Sequence, residues 1–436
     1  MEPYELSASE AARLIASRDL SCEELARSTL ARIAERDPIV RAWTYIDEDR
    51  VLRRARELDK TAPVSPLHGL TFGIKDVIQT ADMPTQQNSS LYVDHRSGQD
   101  AACVAVVRHS GALVVGKTET VEFAAGGRMP ATRNPSNLAH TPGGTSSGSA
   151  AAVADHQVQL AFGTQTAGSH IRPAAFNGIY GIKPTHGVVS REGAKLYAHS
   201  LDTIGWYGRS ADDLALVAEA FALPGMSQRM PVPLKGLRVG LCMTASWSAA
   251  DPYAQAALMQ TAFQLESAGA IVKELTLPAP FNDLPNAHET VLYGEGRAAF
   301  FSETLGPKAH MLHGHFCDIA ANARGITPQG LAAAYDLAAA CRRQFDALFD
   351  DELDVVMTPA SPGEAPEGFT STGNYTFNIV WTLLHVPCVA MPVGRSPRNL
   401  PLGVQLVGPR TGDARLLEIA RACVPALDSN AAITLS

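Results

Sequence analysis

The sequence predicts an α/β layered fold with a mainly parallel sheet, built as one large domain over residues 1–436. Three observations carry that expectation. Short apolar runs of strand length recur along the chain. Capped helical patterns alternate with them, as in folds that join strands through helices. No internal repeat, low-complexity segment or linker divides the sequence.

The elements follow in order. Residues 5–36 read as helical, and a helical N-terminal segment is expected over about 5–60. Ser21 and Glu24 have the spacing of a capping box, and Ala26, Leu30 and Ile33 fall at i, i+4 and i+7. "LHGLTFGIKDVI" (67–78) reads as a short apolar strand region. Asp100 to Gly111 reads as a helix with a glycine stop, and "ALVVG" (112–116) as the strand after it. A glycine loop then leads into a helix from about Ser149, followed by the strand "VQLAFG" (158–163). "RPAAF" predicts a short helix beyond the next loop. In the second half, "LRVGLC" (237–242) and "AIVKELTL" (270–277) are strands. Between them a helix starts at Asp251-Pro252, shares Leu258, Ala262 and Leu265 on one face, and ends at Gly269. "LDVVMTP", "PCVAMPVG" and "GVQLVG" are three more apolar strands, and a helix near 413–423 closes the chain.

Composition excludes several classes. The chain is 46% hydrophobic and 18% charged, with a formal net charge of −8, so no nucleic-acid partner is expected. No apolar run reaches the ~18 residues that a membrane span needs. The start, "MEPYELSASEAARL", has neither a basic n-region nor an apolar h-region, so a cytoplasmic setting is expected rather than a secretory one. Seven cysteines without a C-x-x-C pair read as core thiols in a reducing compartment.

Chemistry concentrates in two loops. "HTPGGTSSGSAAAVA" (140–154) places hydroxyls at the mouth of a helix. Gly144 to Gly148 matches G-x-S-x-G, but a nucleophile elbow needs a strand before it, and "RNPSNLAHTPGG" is polar with two prolines. No Gly-Lys-Ser/Thr or G-x-G-x-x-G supports a phosphate cradle. The second loop, "GTQTAGSHIRP" (163–173), follows a strand. Its small residues leave the N–H groups of Thr166, Ala167 and Gly168 free for a substrate oxygen, with Ser169 placed to attack. A base is then needed. His170 is adjacent in sequence and a poor partner for its neighbour, while His140 and His186 remain open. Lys75 lies in "TFGIKDVI" beside Asp76. It is either paired with that aspartate or solvated at its tip, or it is a desolvated amine that can take a proton.

"GIKD" with Lys75, "GGTSSGSAAAVA" and "GTQTAGSHIRPAAFNGIYGIKPT" together resemble the amidase signature family, hydrolases with a Ser–cis-Ser–Lys triad. "KTETVEFAAGG" (117–127), "TRNPSNLAHTPGG" (132–144) and "FNIVWTLLHVPCVAMPVG…LPLGVQLVG" (377–408) extend the resemblance over nearly the whole chain. It implies a single domain whose mixed sheet is covered by helices on both faces. It also implies cofactor-free hydrolysis of a carboxamide through an acyl-enzyme. Carried over by position, Ser169 is the nucleophile, Lys75 the ultimate base, and Thr166, Ala167, Gly168 and Ser169 supply the oxyanion-hole amides. The family loop reads Gly-Gly-Ser-Ser with its first serine as the cis residue, and here Thr145 holds that slot. Threonine keeps the hydroxyl but is stiffer at χ1, and Ser146 lies next door, so either could bridge.

Arg172, three residues after Ser169, is either structural or a guanidinium fork for a substrate carboxylate. "GS-x-I-R-P" resembles the malonamidase-like members, which implies a small acidic amide or ureido acid, with His170 and Gly144 also against the substrate. His310, His313 and His315 in "HMLHGHF" lack a Cys or carboxylate in ligand spacing, so surface or pocket-wall positions are expected rather than a metal site. The expected partner is a small-molecule amide, and a homodimer is possible. Two alternatives stand beside the hydrolase. One is the amide-hydrolysing subunit of a tRNA-dependent amidotransferase, with an accessory subunit. The other is a catalytically impaired member acting as a binding protein.

Overall fold

Two serines open the first helices. Ser7 accepts from the Glu10 N–H and Ser21 from the Glu24 N–H, each completing a capping box. In the computed structural model, which describes residues 2–435, these caps begin α1 (Ala8–Ser17) and α2 (Cys22–Val40). The helical stretch expected over 5–36 is therefore two helices. Arg18, left-handed at φ 64°, ends the first. Ala26, Leu30 and Ile33 are buried as their spacing predicts. A short strand β1 (Trp43–Ile46) and α3 (Glu48–Asp59), capped by Asp47, follow.

The alternation then runs through β2 (Thr71–Lys75), α4 (Ala102–His109), β3 (Leu113–Thr118), α5 (Ser147–Ala154), β4 (Leu160–Gln165) and α6 (Ile171–Asn177). Next come β5 (Tyr180–Lys183), β6 (Thr203–Gly208), α7 (Ala211–Ala220), β7 (Arg238–Leu241), α8 (Pro252–Ser267) and β8 (Ile271–Glu274). The helices α9 (Leu284–Phe301), α10 (Gly314–Ala320) and α11 (Pro328–Asp351) precede β9 (Val355–Pro359). The chain closes with α12 (Ile379–Leu383), β10 (Cys388–Arg395), β11 (Pro401–Val407) and α13 (Asp413–Cys423). Asp251 caps α8 through the Ala254 N–H, with Pro252 at its first position.

The described strands form one eleven-stranded sheet in the order β1-β3-β2-β4-β6-β5-β10-β11-β9-β7-β8. It is mixed, but not mainly parallel. Only β2–β3, β2–β4, β7–β9 and β7–β8 run parallel, and the other six neighbouring pairs are antiparallel. The connections explain the correction. A parallel neighbour needs a crossover such as α8 between β7 and β8, whereas antiparallel strands can be joined directly. Residues 396–400 join β10 to β11 in that way. Apolar runs alone do not distinguish the two.

One hydrophobic cluster reaches from Ala8 to Ile433, so a single core serves both halves of the chain. Every residue of β2, β3 and β4 is buried, as expected for strands covered on both faces. Among the described residues no helix is long and apolar enough to cross a membrane.

Candidate active site

The last residue of β2 sets the site. Lys75 is fully buried in the sheet, and its ammonium position is surrounded by hydroxyls rather than by an acid. Lys75 Nζ lies 2.7 Å from Thr145 Oγ1, 3.0 Å from Ser146 Oγ and 2.7 Å from Thr164 Oγ1. Burial drives its pKa well below the ordinary lysine value, and only the more distant Asp202 opposes that. Asp76, its sequence neighbour, turns instead to Lys117 Nζ at 3.3 Å. Pairing of Lys75 with its own aspartate is thus excluded.

The two hydroxyls of the glycine loop differ. Ser146 Oγ donates to the Thr164 carbonyl at 3.2 Å, and accepts from the Thr164 N–H at 3.1 Å. It is fully buried. Thr145, which follows a cis Gly144–Thr145 peptide, instead opens on a cavity of about 330 Å³ that Ser169 also lines. Thr145 therefore faces both the amine and the cavity. Ser146 faces the amine and the Thr164 backbone but does not line the cavity.

The second loop lines the same cavity through Thr166, Ala167 and Ser169. Its four carbonyls are all engaged. Thr166 O accepts from His288 Nε2 at 2.9 Å, Ala167 O from Thr382 Oγ1 at 2.8 Å, Gly168 O from the Arg172 N–H, and Ser169 O from the Ser146 N–H. The N–H groups of Thr166 to Ser169 have no partner among the described residues. Gln165 braces the turn, accepting from the His170 and Ile171 N–H groups and donating to Thr382. Asp202 accepts from the Thr166 hydroxyl and from the Tyr197 and Ala198 N–H groups, and burial raises its pKa to about 6.

Two of the three residues expected against the substrate do not line the cavity. His170 lies outside the cavity, with its ring stacked on Tyr207 at 3.9 Å and Nε2 donating to the Trp206 carbonyl. Burial lowers its pKa to about 3, and the turn into α6 sends its side chain into the core. Gly144 does not line the cavity either, but sits behind Thr372 and Arg172, which do. A Cβ there would meet Thr372 Cγ2 at 2.6 Å, and its carbonyl accepts from Arg172. Arg172 does line the cavity, but its guanidinium grips loops. It donates to Gly144 O, to Gly373 O at 2.6 Å and to Thr372 Oγ1 at 3.0 Å. It has no carboxylate partner among the described residues, and burial lowers its pKa to about 10.

Of the other histidines, His140 donates to the Ala365 carbonyl and His186 stacks on His385. Neither lines the cavity, whereas His313 and His315 do, with Tyr197, Tyr293 and Tyr375. Among the described residues no group of three His, Cys, Asp or Glu is arranged to hold a metal ion. Thr164, Thr382, His288 and the three tyrosines were given no role from the sequence, although Thr164 lies in the loop 163–173 and Thr382 in the stretch 377–408. Parts that acyl transfer uses lie close together: Ser169 and Thr145 on one cavity wall, a buried amine 2.7 Å from the Thr145 hydroxyl, and backbone amides without partners among the described residues.

The Amidase family matches residues 24–417 of the chain. A glutamyl-tRNA(Gln) amidotransferase subunit of Symbiobacterium thermophilum is 34% identical, over 95% of this chain and 95% of its own. The corresponding subunit from Pseudomonas fluorescens is 31% identical, over 96% of each. Among solved structures, native peptide amidase from Stenotrophomonas maltophilia has a TM-score of 0.80 at 27% identity, covering 100% of both chains.

Proposed function

The chain belongs to the amidase family, amidohydrolases acting on C–N bonds, and from that premise we propose that it cleaves a linear carboxamide through an acyl-enzyme on Ser169. Ser169 Oγ attacks the amide carbon. Its proton passes to Thr145 Oγ1 as the Thr145 proton passes to neutral Lys75 Nζ. The oxyanion is met by the free amides of residues 166–169. The Lys75 ammonium returns a proton along the same path to the leaving nitrogen, which departs as ammonia or an amine. Water then enters, and its attack on the ester regenerates Ser169. The observation that carries this reading is Thr145 Oγ1, 2.7 Å from Lys75 Nζ and on the cavity wall beside Ser169. It favours Thr145 over Ser146 as the bridge. It also speaks against a catalytically impaired binding protein, because the threonine keeps the contact that the relay needs.

For the substrate, Arg172 supports an acidic amide or ureido acid, since it is a cation at the wall without an acid of its own. Three of its five N–H groups are occupied, which leaves one Nη1 hydrogen and the buried Nε–H for that purpose. A second reading is favoured by the 34% identity over 95% of both chains: the amidase-type subunit of an amidotransferase, with an accessory subunit. The free cysteines support a reducing, cytoplasmic setting for either.

An acylating probe such as a fluorophosphonate, followed by peptide mapping, tests the proposal. The label is expected on Ser169 and lost in Ser169→Ala. A label on Ser146 would revive the elbow reading. Ammonia release from mono-amides of dicarboxylic acids, ureido acids and glutamine then sorts the substrates, and a co-purifying partner subunit would select the second reading.

A further inference from the structure

A trans peptide points its C=O and N–H in opposite directions within one rigid plane. Whatever fixes a carbonyl in the second loop therefore aims the following N–H the other way. Three planes matter: Thr166–Ala167, Ala167–Gly168 and Gly168–Ser169. The last is fixed by the first turn of α6 itself, through the Arg172 N–H. The middle one is fixed by Thr382, which Gln165 in turn orients. The first has a single brace from far away in sequence. His288 Nε2 donates to Thr166 O at 2.9 Å from a position 122 residues on, in α9.

We propose that His288 is a positioning residue for the oxyanion-binding amides: it holds the Thr166–Ala167 plane and so aims the Ala167 N–H into the cavity. This rests on the reading of Ser169 as the acylated serine. The geometry favours a built-in brace over an incidental contact. His288 is 2% exposed, and because a carbonyl only accepts, Nε2 must carry the proton. Burial lowers the ring's pKa to about 4, so the imidazole is neutral at pH 7 and the donated bond persists. The Thr166 side chain is held separately by Asp202, which leaves the carbonyl to His288. The same helix contributes Leu292 and Tyr293 to the cavity wall. α9 thus joins the substrate-facing wall to the amide nest.

The test compares His288→Phe, which fills the space without a donor, with His288→Gln, whose amide nitrogen has a similar reach. Each is assayed for kcat and KM on the best amide found, and for inhibition by the matching aldehyde, which forms a tetrahedral adduct with the serine. His288→Phe is expected to lower kcat by about tenfold or more, short of the ~10²–10³-fold cost of deleting an oxyanion donor, with KM unchanged. Aldehyde affinity should fall by the same factor, and His288→Gln should recover most of both. Wild-type kcat and aldehyde affinity in His288→Phe would overturn the proposal. So would equal losses in Phe and Gln variants, with KM moving alongside kcat. Probe labelling of Ser169 in the wild-type preparation distinguishes failure of this inference from failure of the acyl-enzyme reading.

Discussion

Two lysines stand on neighbouring parallel strands, both fully buried, and have opposite surroundings. Lys75 ends β2 and Lys117 lies in β3, where the register pairs Ile74 with Lys117 and Lys75 with Thr118. Successive side chains of a strand alternate between faces, so the two amines emerge on opposite sides of the sheet. Asp76 continues the alternation and falls on the Lys117 side. There it meets Lys117 Nζ at 3.3 Å, and Thr85 Oγ1 and the Ile78 and Pro84 carbonyls accept from that amine at 2.6, 2.8 and 3.3 Å. Lys75 has three hydroxyls and no carboxylate. Burial lowers both pKa values, but Asp76 pulls Lys117 back toward the charged form. Within this pair, the lysine given an acid is a structural cation, and the one given only hydroxyls is the candidate base.

The contrast is broken most sharply at Lys75. Lys75→Met should lower the rate of ammonia release by several powers of ten, as for other members of a catalytic unit. Lys75→Arg should not rescue it, since arginine keeps its proton. The melting temperature should hold or rise in Lys75→Met, because the variant removes a desolvated amine without orphaning an acid. The pH dependence has the same origin. Wild-type activity should climb with pH as Lys75 becomes neutral and level off below the ordinary lysine titration. Between its lowered folded pKa and its unfolded value the unfolded chain binds the extra proton. Stability therefore rises with pH in that window, and Lys75→Met should flatten the slope.

Lys117 should behave in the opposite way. Lys117→Met leaves the buried Asp76 carboxylate unpaired, a loss of about 3–5 kcal/mol of stability, readable by denaturant unfolding. Adding Asp76→Asn should recover part of it. A stable Lys117→Met that loses turnover as completely as Lys75→Met would end the distinction. The smallest effect is expected at Thr164→Val, which removes one of three hydroxyls around Lys75. A net hydrogen bond of ~0.5–1.5 kcal/mol corresponds to a rate loss of about tenfold at most.

The alternation of strands and helices was legible because capped helices and short apolar runs are local features. Ser21, Asp251 and Gly269 mark boundaries that the structure keeps. Strand direction was not legible, since β10 and β11 read the same whether parallel or antiparallel. The short β5 and β6, and α9 to α11, carried no pattern strong enough to be read. Within the site, Lys75 stood out as a charge in an apolar strand and Ser169 as a hydroxyl in a small-residue loop, while Thr145 was singled out only through the loop's resemblance to the family's. His170 misled because adjacency to Ser169 suggests a shared pocket, while the turn into α6 sends its ring to Tyr207. The roles of His288 and Thr382 were not legible, since each reaches the loop only through tertiary packing.

The central claim is that Thr145 is the hydroxyl joining Ser169 to Lys75. The rate at which an acylating probe labels Ser169, compared between Thr145→Val and Ser146→Ala, tests it most directly. Valine keeps the threonine shape and removes only the hydroxyl, so labelling should slow by ~10²–10⁴-fold, the usual size of a proton-transfer contribution. Ser146→Ala should label within about tenfold of wild type, since Ser146 gives its proton to the Thr164 carbonyl. Rapid labelling of Thr145→Val together with slow labelling of Ser146→Ala would contradict the account and place the relay on Ser146.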